Sequence, residues 1–214
     1  MRIRVKICGC TGVDDVAVAL DAGADAVGVI LAPRSPRAVG IDRLQEIAAY
    51  VPALVSLVAV FTDPSSSMVD EALKVGAIPQ FHGAEPASVC EAFAAGPYLK
   101  AYHVGSGDVT RDEFDAFARP YEHATWLFDT AGADGSSGGT GEPFAWEIVR
   151  RLAGERHVVV AGGLNAENVG ACVRTVRPFA VDVRSGVETD GKKDARKVRA
   201  FVEAVRTAEQ TLTV

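Results

Sequence analysis

A few side chains in this 214-residue sequence have the types and positions needed for proton transfer and anion binding. Cys8 closes the apolar segment Arg4-Val-Lys-Ile-Cys8, two positions after Lys6. In an extended chain these two side chains point the same way. A thiolate at Cys8 would then stand beside an ammonium that favours its charge, which suits a general base. The plainer reading is a small buried apolar residue, as most free cysteines are. Asp129 closes a second apolar run, Trp126-Leu-Phe-Asp129. A carboxylate ending a buried segment is costly unless paired or functional. Partial burial would raise its proton affinity and suit it to general-acid chemistry, whereas an N-cap or a salt bridge is the structural alternative. Gly162-Gly163 and Ser185-Gly186 are turns whose missing Cβ atoms would let backbone N–H groups approach a phosphate, or they are simply turn glycines. Arg34 and Arg37 flank Ser35-Pro36, and one of them could clamp a carboxylate bidentately.

Eight short runs rich in Val, Ile and Phe could hold these groups: Arg4–Gly9, Ala24–Leu31, Leu54–Phe61, Ala77–Gly83, Tyr98–Val104, Ala124–Asp129, His157–Gly163 and Phe179–Gly186. Runs such as Val55-Ser-Leu-Val-Ala-Val60 are too continuously apolar for one-sided burial and suit a parallel sheet covered by helices. Helical periodicity lies between them, as in Leu44, Ile47, Ala48 and Val51, or Val198, Phe201, Val202 and Val205. Asp63-Pro64 and Asn165 read as helix starts, Thr110-Arg-Asp-Glu113 as a capping box, and Gly23, Gly76 and Gly96 as helix stops. Eight strand–helix units predict an α/β fold, a single-domain (β/α)8 TIM barrel over residues 1–214, rather than an open doubly wound sheet. In such a barrel the active site lies at the C-terminal ends of the strands. That rule gathers Lys6, Cys8, Gln80, His82, His103, Asp129 and Asp182 into one ring, with Lys6, Gln80, His82 and Asp182 as candidates to line the substrate. It also puts the two small-residue turns after strands seven and eight, where barrels often bind phosphate. The irregular stretch Thr130–Pro143 reads as a functional loop or lid.

The net charge of −6 argues against sequence-independent nucleic-acid binding. No apolar stretch approaches a membrane span of about 18–20 residues. Cys90 and Cys172 fall on helical apolar stripes, and Cys10 lies in the first loop. With histidines at 82, 103, 123 and 157 there is no zinc spacing, so no metal site is expected, and a reduced cytoplasmic protein is the simplest reading.

Over almost its whole length the sequence resembles the phosphoribosylanthranilate isomerases of tryptophan biosynthesis. The resemblance is carried by Lys6-Ile-Cys-Gly9, Gly23-Ala-Asp-Ala-Val-Gly28, Ser35-Pro-Arg37, Gln80-Phe-His-Gly83, Phe128-Asp129, Gly138-Gly-Thr-Gly141, Ala161-Gly-Gly-Leu-Asn165 and Val181-Asp-Val-Arg-Ser-Gly-Val-Glu188. It implies a barrel of the ribulose-phosphate-binding type, monomeric or homodimeric, acting on a small phosphorylated substrate without a cofactor. The implied reaction is the Amadori rearrangement of N-(5-phosphoribosyl)anthranilate to 1-(2-carboxyphenylamino)-1-deoxyribulose 5-phosphate. The resemblance assigns the general base to Cys8, the general acid to Asp129 and the anthranilate carboxylate to Arg37. Phosphate falls to Gly162, Gly163, Ser185 and Gly186. The sequence departs from the pattern at Cys10, Phe81, Arg184 and Pro79, the last of which should cost a ladder hydrogen bond. Rival readings are a histidine-pathway or dual-specificity aminoaldose isomerase, whose first-strand base would be an aspartate, and a catalytically silent barrel used for binding.

Overall fold

The computed structural model describes residues 2–93, 96–104, 109–130 and 143–212, with backbone only at 143–145. Its eight parallel strands are β1 (Arg4–Cys8), β2 (Ala26–Ile30), β3 (Ser56–Phe61), β4 (Ile78–Phe81), β5 (Tyr98–His103), β6 (Ala124–Asp129), β7 (Val159–Ala161) and β8 (Ala180–Val183). They pair in sequence order, and β8 returns to β1 to close a barrel. Each predicted strand is present, most of them trimmed at their ends. Helices α1 (Val13–Asp21), α2 (Ile41–Tyr50), α3 (Ser66–Lys74), α4 (Ala87–Ala92), α5 (Arg111–Ala118), α6 (Pro143–Ala153), α7 (Val169–Val176) and α8 (Ala195–Thr211) alternate with them. No helix among the described residues is long and apolar enough to cross a membrane.

Strand alternation divides the side chains into two sets. Val5, Ile7, Val27, Val29, Phe61, Phe81, Trp126, Phe128, Val160 and Val181 join the helix-facing core. Leu44 and Ile47 of α2, and Val198, Phe201, Val202 and Val205 of α8, pack into that core as their periodicity predicts. The opposite set faces the barrel axis. Small and branched residues such as Val58, Ala101, Leu127 and Ala180 fill it, together with Lys6, Cys8, Gln80 and Asp182. Placing charged groups on the axis is expensive, so the barrel interior is where polar residues need partners most.

Local start signals were only partly decisive. Thr110 and Glu113 form the full capping box of α5. The α3 cap is Ser65, whose side chain accepts from the Met68 N–H, and not Asp63. Asp63 sits instead at φ 47°, in a left-handed turn. Asn168, not Asn165, precedes α7. The Asn165 side chain is used one turn earlier, accepting from the N–H groups of Glu167 and Asn168. Gly23 and Gly76 follow α1 and α3 at positive φ, whereas α4 stops at Ala92, ahead of Gly96. Pro79 is accommodated within β4: it pairs with Ala59 on β3, and pairing to β5 begins only at Gln80. Residues 131–142 of the Thr130–Pro143 stretch, with the Gly-Gly-Thr-Gly motif, lie outside the described residues.

Candidate active site

At the C-terminal mouth of the barrel lies a cavity of about 980 Å³. Cys8, Gln80, His82, Asp129, Asp182 and the turns after β7 and β8 border it. Apart from Lys6, the expected ring of strand-end residues borders it, and barrel closure decides who neighbours whom. Register places Lys6 beside Asp182 and Cys8 beside Gly28. The Lys6 Nζ donates to Asp182 Oδ2 at 2.9 Å, and both side chains are buried. Burial opposes the Lys6 charge, but the Asp182 carboxylate and, to a smaller degree, Cys8 outweigh it and hold the ammonium above its usual range. Lys6, expected to line the substrate, does not itself border the cavity: its side chain is buried beneath it against Asp182. Asp182 does border it, and its buried Oδ1 has no partner among the described residues.

Cys8 is pulled two ways. Burial pushes its thiol up, while the nearby Lys6 ammonium pulls it down; the net direction is up. The resting group is thus a thiol, and Lys6 is the residue that stabilises the thiolate once formed. Gly28 makes room for it: a Cβ at position 28 would stand 2.8 Å from the Cys8 Sγ. The other cysteines are buried. Cys10 directs its thiol to the Ile7 carbonyl and Cys172 belongs to the helix-facing core, and burial raises both to about 12.

Asp129 meets a chain of side chains from β4 and the turn that follows it, across β5. Its Oδ2 lies 3.1 Å from His82 Nε2, and His82 Nδ1 lies 3.1 Å from Gln80 Nε2. An amide NH₂ can only donate, so His82 Nδ1 accepts and Nε2 carries the proton toward Asp129. Turning the Gln80 amide reverses the roles, because its oxygen would accept from Nδ1 and leave Nε2 to accept from a protonated Asp129. Gln80 Oε1 is buried without a partner among the described residues in the first arrangement. The chain can therefore serve both protonation states of the carboxyl. Sequence reading missed the brace behind it. The Glu85 carboxylate accepts from the Asp63 and Gly83 N–H groups and from the buried Lys100, fastening the loops after β3 and β4.

The two small-residue turns are built as close approaches. Gly162 and Gly163 adopt φ 92° and 62°. A Cβ at Gly186 would lie 2.0 Å from the Leu164 carbonyl oxygen, so only glycine lets the turn after β8 seat against the turn after β7. Arg184 is exposed and borders the cavity, its stem passing over Gly9. Arg34 is exposed, whereas Arg37 is half-buried, with Nη2 2.5 Å from Glu188 Oε2. Glu188 also holds Lys193 at 2.8 Å. The Arg37 Nε is buried without a partner among the described residues. Arg37 does not itself border the cavity, although Ser35 of the same loop does. Glu188 was not legible as a site residue, because its contact with Arg37 spans most of the chain, and Lys193 enters only through Glu188.

The model of the N-(5′-phosphoribosyl)anthranilate (PRA) isomerase family matches residues 5–204. The chain belongs to that family. N-(5′-phosphoribosyl)anthranilate isomerases to which it is similar include that of Pseudomonas aeruginosa strain LESB58, 43% identical with 99% of each chain covered. That of Pseudomonas paraeruginosa is 45% identical with 95% of each covered. Among solved structures, the phosphoribosyl anthranilate isomerase of Thermotoga maritima superposes with a TM-score of 0.84 at 34% identity, over 96% of this chain and 99% of the other. A further phosphoribosyl anthranilate isomerase structure, with a TM-score of 0.80, 32% identity and coverage of 96% and 99%, is a complex with reduced 1-(o-carboxyphenylamino)-1-deoxyribulose 5-phosphate.

Proposed function

We propose that this chain catalyses the isomerisation for which its family is named, the Amadori rearrangement of N-(5-phosphoribosyl)anthranilate in tryptophan biosynthesis, with Asp129 as general acid and Cys8 as general base. One observation carries the assignment. Asp129 ends β6 and Cys8 ends β1, and the strands between them around the closed barrel are β7 and β8, whose glycine turns border the same cavity. A phosphate held on those turns through Gly162, Gly163, Ser185 and Gly186 leaves the attached ribose between acid and base.

Protonated Asp129 donates to the furanose ring oxygen. The C1′–O bond breaks and a Schiff base forms between C1′ and the anthranilate nitrogen. Cys8 thiolate then removes the C2′ proton, giving an enolamine that tautomerises to the ketone. No electrons leave the substrate, and the proton given up by Asp129 balances the one taken by Cys8. The Gln80–His82 chain suits both ends of this cycle, accepting from Asp129 before transfer and donating to it afterwards. Asp182 Oδ1 is an open acceptor for a substrate donor, and Lys6 holds Asp182 and Cys8 in charge balance. The test is the loss of substrate fluorescence when the protein is added, with Cys8→Ala as the control. Turnover in that control at the wild-type rate would refute the assignment of the base.

Arg37 is the clamp for the anthranilate carboxylate in this reading. Its half-buried guanidinium and an Nε without a partner among the described residues support that role, and the exposure of Arg34 argues against the alternative. Loss of a charge-assisted hydrogen bond of about 1.5–3 kcal/mol predicts that Arg37→Ala raises KM by about 10–100-fold. Arg37→Lys recovers only part of this, because the fork geometry is absent. If Arg34→Ala proves damaging and Arg37→Ala silent, the assignment is reversed. For the phosphate turns, Gly186→Ala must displace the backbone at Leu164, at a cost of about 1–3 kcal/mol. Inorganic phosphate is expected to inhibit that variant about tenfold less well than the wild type, and equal inhibition constants would remove Gly186 from the phosphate site.

A further inference from the structure

The three strands β4, β5 and β6 bring together groups that the sequence spacing keeps far apart. His82 follows β4, His103 ends β5 and Asp129 ends β6. One ligand-type atom from each lies within 4.8 Å of the other two. The two imidazoles pack edge to face with centroids 5.1 Å apart.

The hydrogen bonds around this cluster set the tautomers. His103 Nε2 lies 3.0 Å from the His82 carbonyl oxygen. A carbonyl only accepts, so Nε2 carries the proton and Nδ1 presents a lone pair. That Nδ1 is sealed from solvent and has no hydrogen-bond partner among the described residues. An imidazole with one nitrogen donating to a backbone carbonyl and the other bare has the arrangement that metal-ligating histidines usually show. The second orphan in the cluster is Gln80 Oε1. Turning that amide lets its oxygen accept from His82 Nδ1–H, which frees the lone pair of His82 Nε2. One bound cation would therefore resolve both unsatisfied atoms, His103 Nδ1 directly and Gln80 Oε1 through His82.

We propose that His82, His103 and Asp129 form a binding site for a borderline transition-metal ion of the Zn2+ class, and that occupancy reversibly inhibits the enzyme. Two imidazole nitrogens and a carboxylate oxygen are a donor set for such ions rather than for Ca2+ or Mg2+, which take oxygen ligands. With bonds of about 2.0–2.1 Å, a tetrahedral ion needs ligand atoms roughly 3.3 Å apart, so atoms within 4.8 Å of one another must close by at most about 1.5 Å. Open coordination positions would face the cavity and take water. Inhibition follows from the chemistry: His82 keeps its proton on Nδ1, and Asp129 binds as the carboxylate, with no proton to give the substrate. The binding half needs no catalytic role for Asp129, whereas the inhibitory half rests on the general-acid reading above.

The experiment titrates the chelator-treated protein with Zn2+ by calorimetry and with Co2+ by absorption, and measures turnover in parallel. We expect one ion per chain, cobalt d–d bands without a thiolate charge-transfer band, and inhibition competitive with substrate and reversed by EDTA. His103→Phe keeps a ring against His82 but has no donor nitrogen. His103→Gln keeps an N–H for the His82 carbonyl and guards against a folding defect in the first variant. Both should weaken zinc binding, and inhibition relative to their own metal-free rate, by at least about tenfold. Cys8→Ala should bind zinc as the wild type does. Unchanged affinity in both His103 variants, or loss of binding in Cys8→Ala, overturns the site. His103-dependent binding with full turnover overturns the inhibition and the role of Asp129 as acid.

Discussion

Asp129→Asn and Cys8→Ala are each expected to lower kcat by about 10²–10⁴-fold, the usual worth of a positioned general acid or base. Neither change should unfold the barrel. Asparagine is nearly isosteric with aspartate and can still bond to His82 after a turn of the Gln80 amide, since both arrangements of that chain are available. It has no acidic proton for the ring oxygen. Alanine at position 8 removes a thiol that packs against Gly28, so it relieves crowding and introduces no clash. The measurement is steady-state kinetics beside a thermal melt. A melt near that of the wild type with a collapsed kcat separates chemistry from packing. Near-normal turnover in either variant would take that residue out of the mechanism. A pH profile adds a sign. Burial raises the Cys8 thiol, so kcat/KM should climb as pH rises and the thiolate forms.

The second large effect is expected at Lys6. Lys6→Met strips the partner from a carboxylate buried on the barrel axis, and breaking a buried pair in this way typically costs about 3–5 kcal/mol. Two outcomes distinguish this from ordinary core damage. First, Lys6→Met/Asp182→Leu should regain most of the lost stability, because an apolar pair of similar volume no longer carries an uncompensated charge. Second, activity should not return with it. The Lys6 ammonium is the main influence that lowers the Cys8 thiol, so its loss moves the rise of kcat/KM to still higher pH in the single variant. A double variant as unstable as the single one would show that packing, not charge, makes Lys6 necessary. An unshifted pH profile would show that Lys6 does not assist Cys8.

Local pattern carried much of this architecture. Alternation put Lys6 and Cys8 on one face and Val5 and Ile7 on the other because extended backbone has a period of two. Continuously apolar runs demanded cover on both sides, which a closed parallel barrel with outer helices provides. Thr110 and Glu113 cap α5 as read, since a capping box needs only residues three apart. Asp63 and Asn165 misled for a similar reason: each satisfies nearby geometry, a left-handed turn in one case and two N–H groups in the other, and the helix begins a few residues later. Even the candidate acid, base and glycine turns followed from their positions at strand ends. What sequence alone could not decide was partnership. Lys6 faces Asp182 only because β8 closes on β1 in that register. Arg37 meets Glu188, and Glu85 meets Lys100, through chain returns that leave no periodic trace. His82, His103 and Asp129 converge only because three consecutive strands lie side by side with their ends level. Periodicity reports interactions between residues close in sequence, whereas these contacts depend on barrel closure and register, which are properties of the whole sheet.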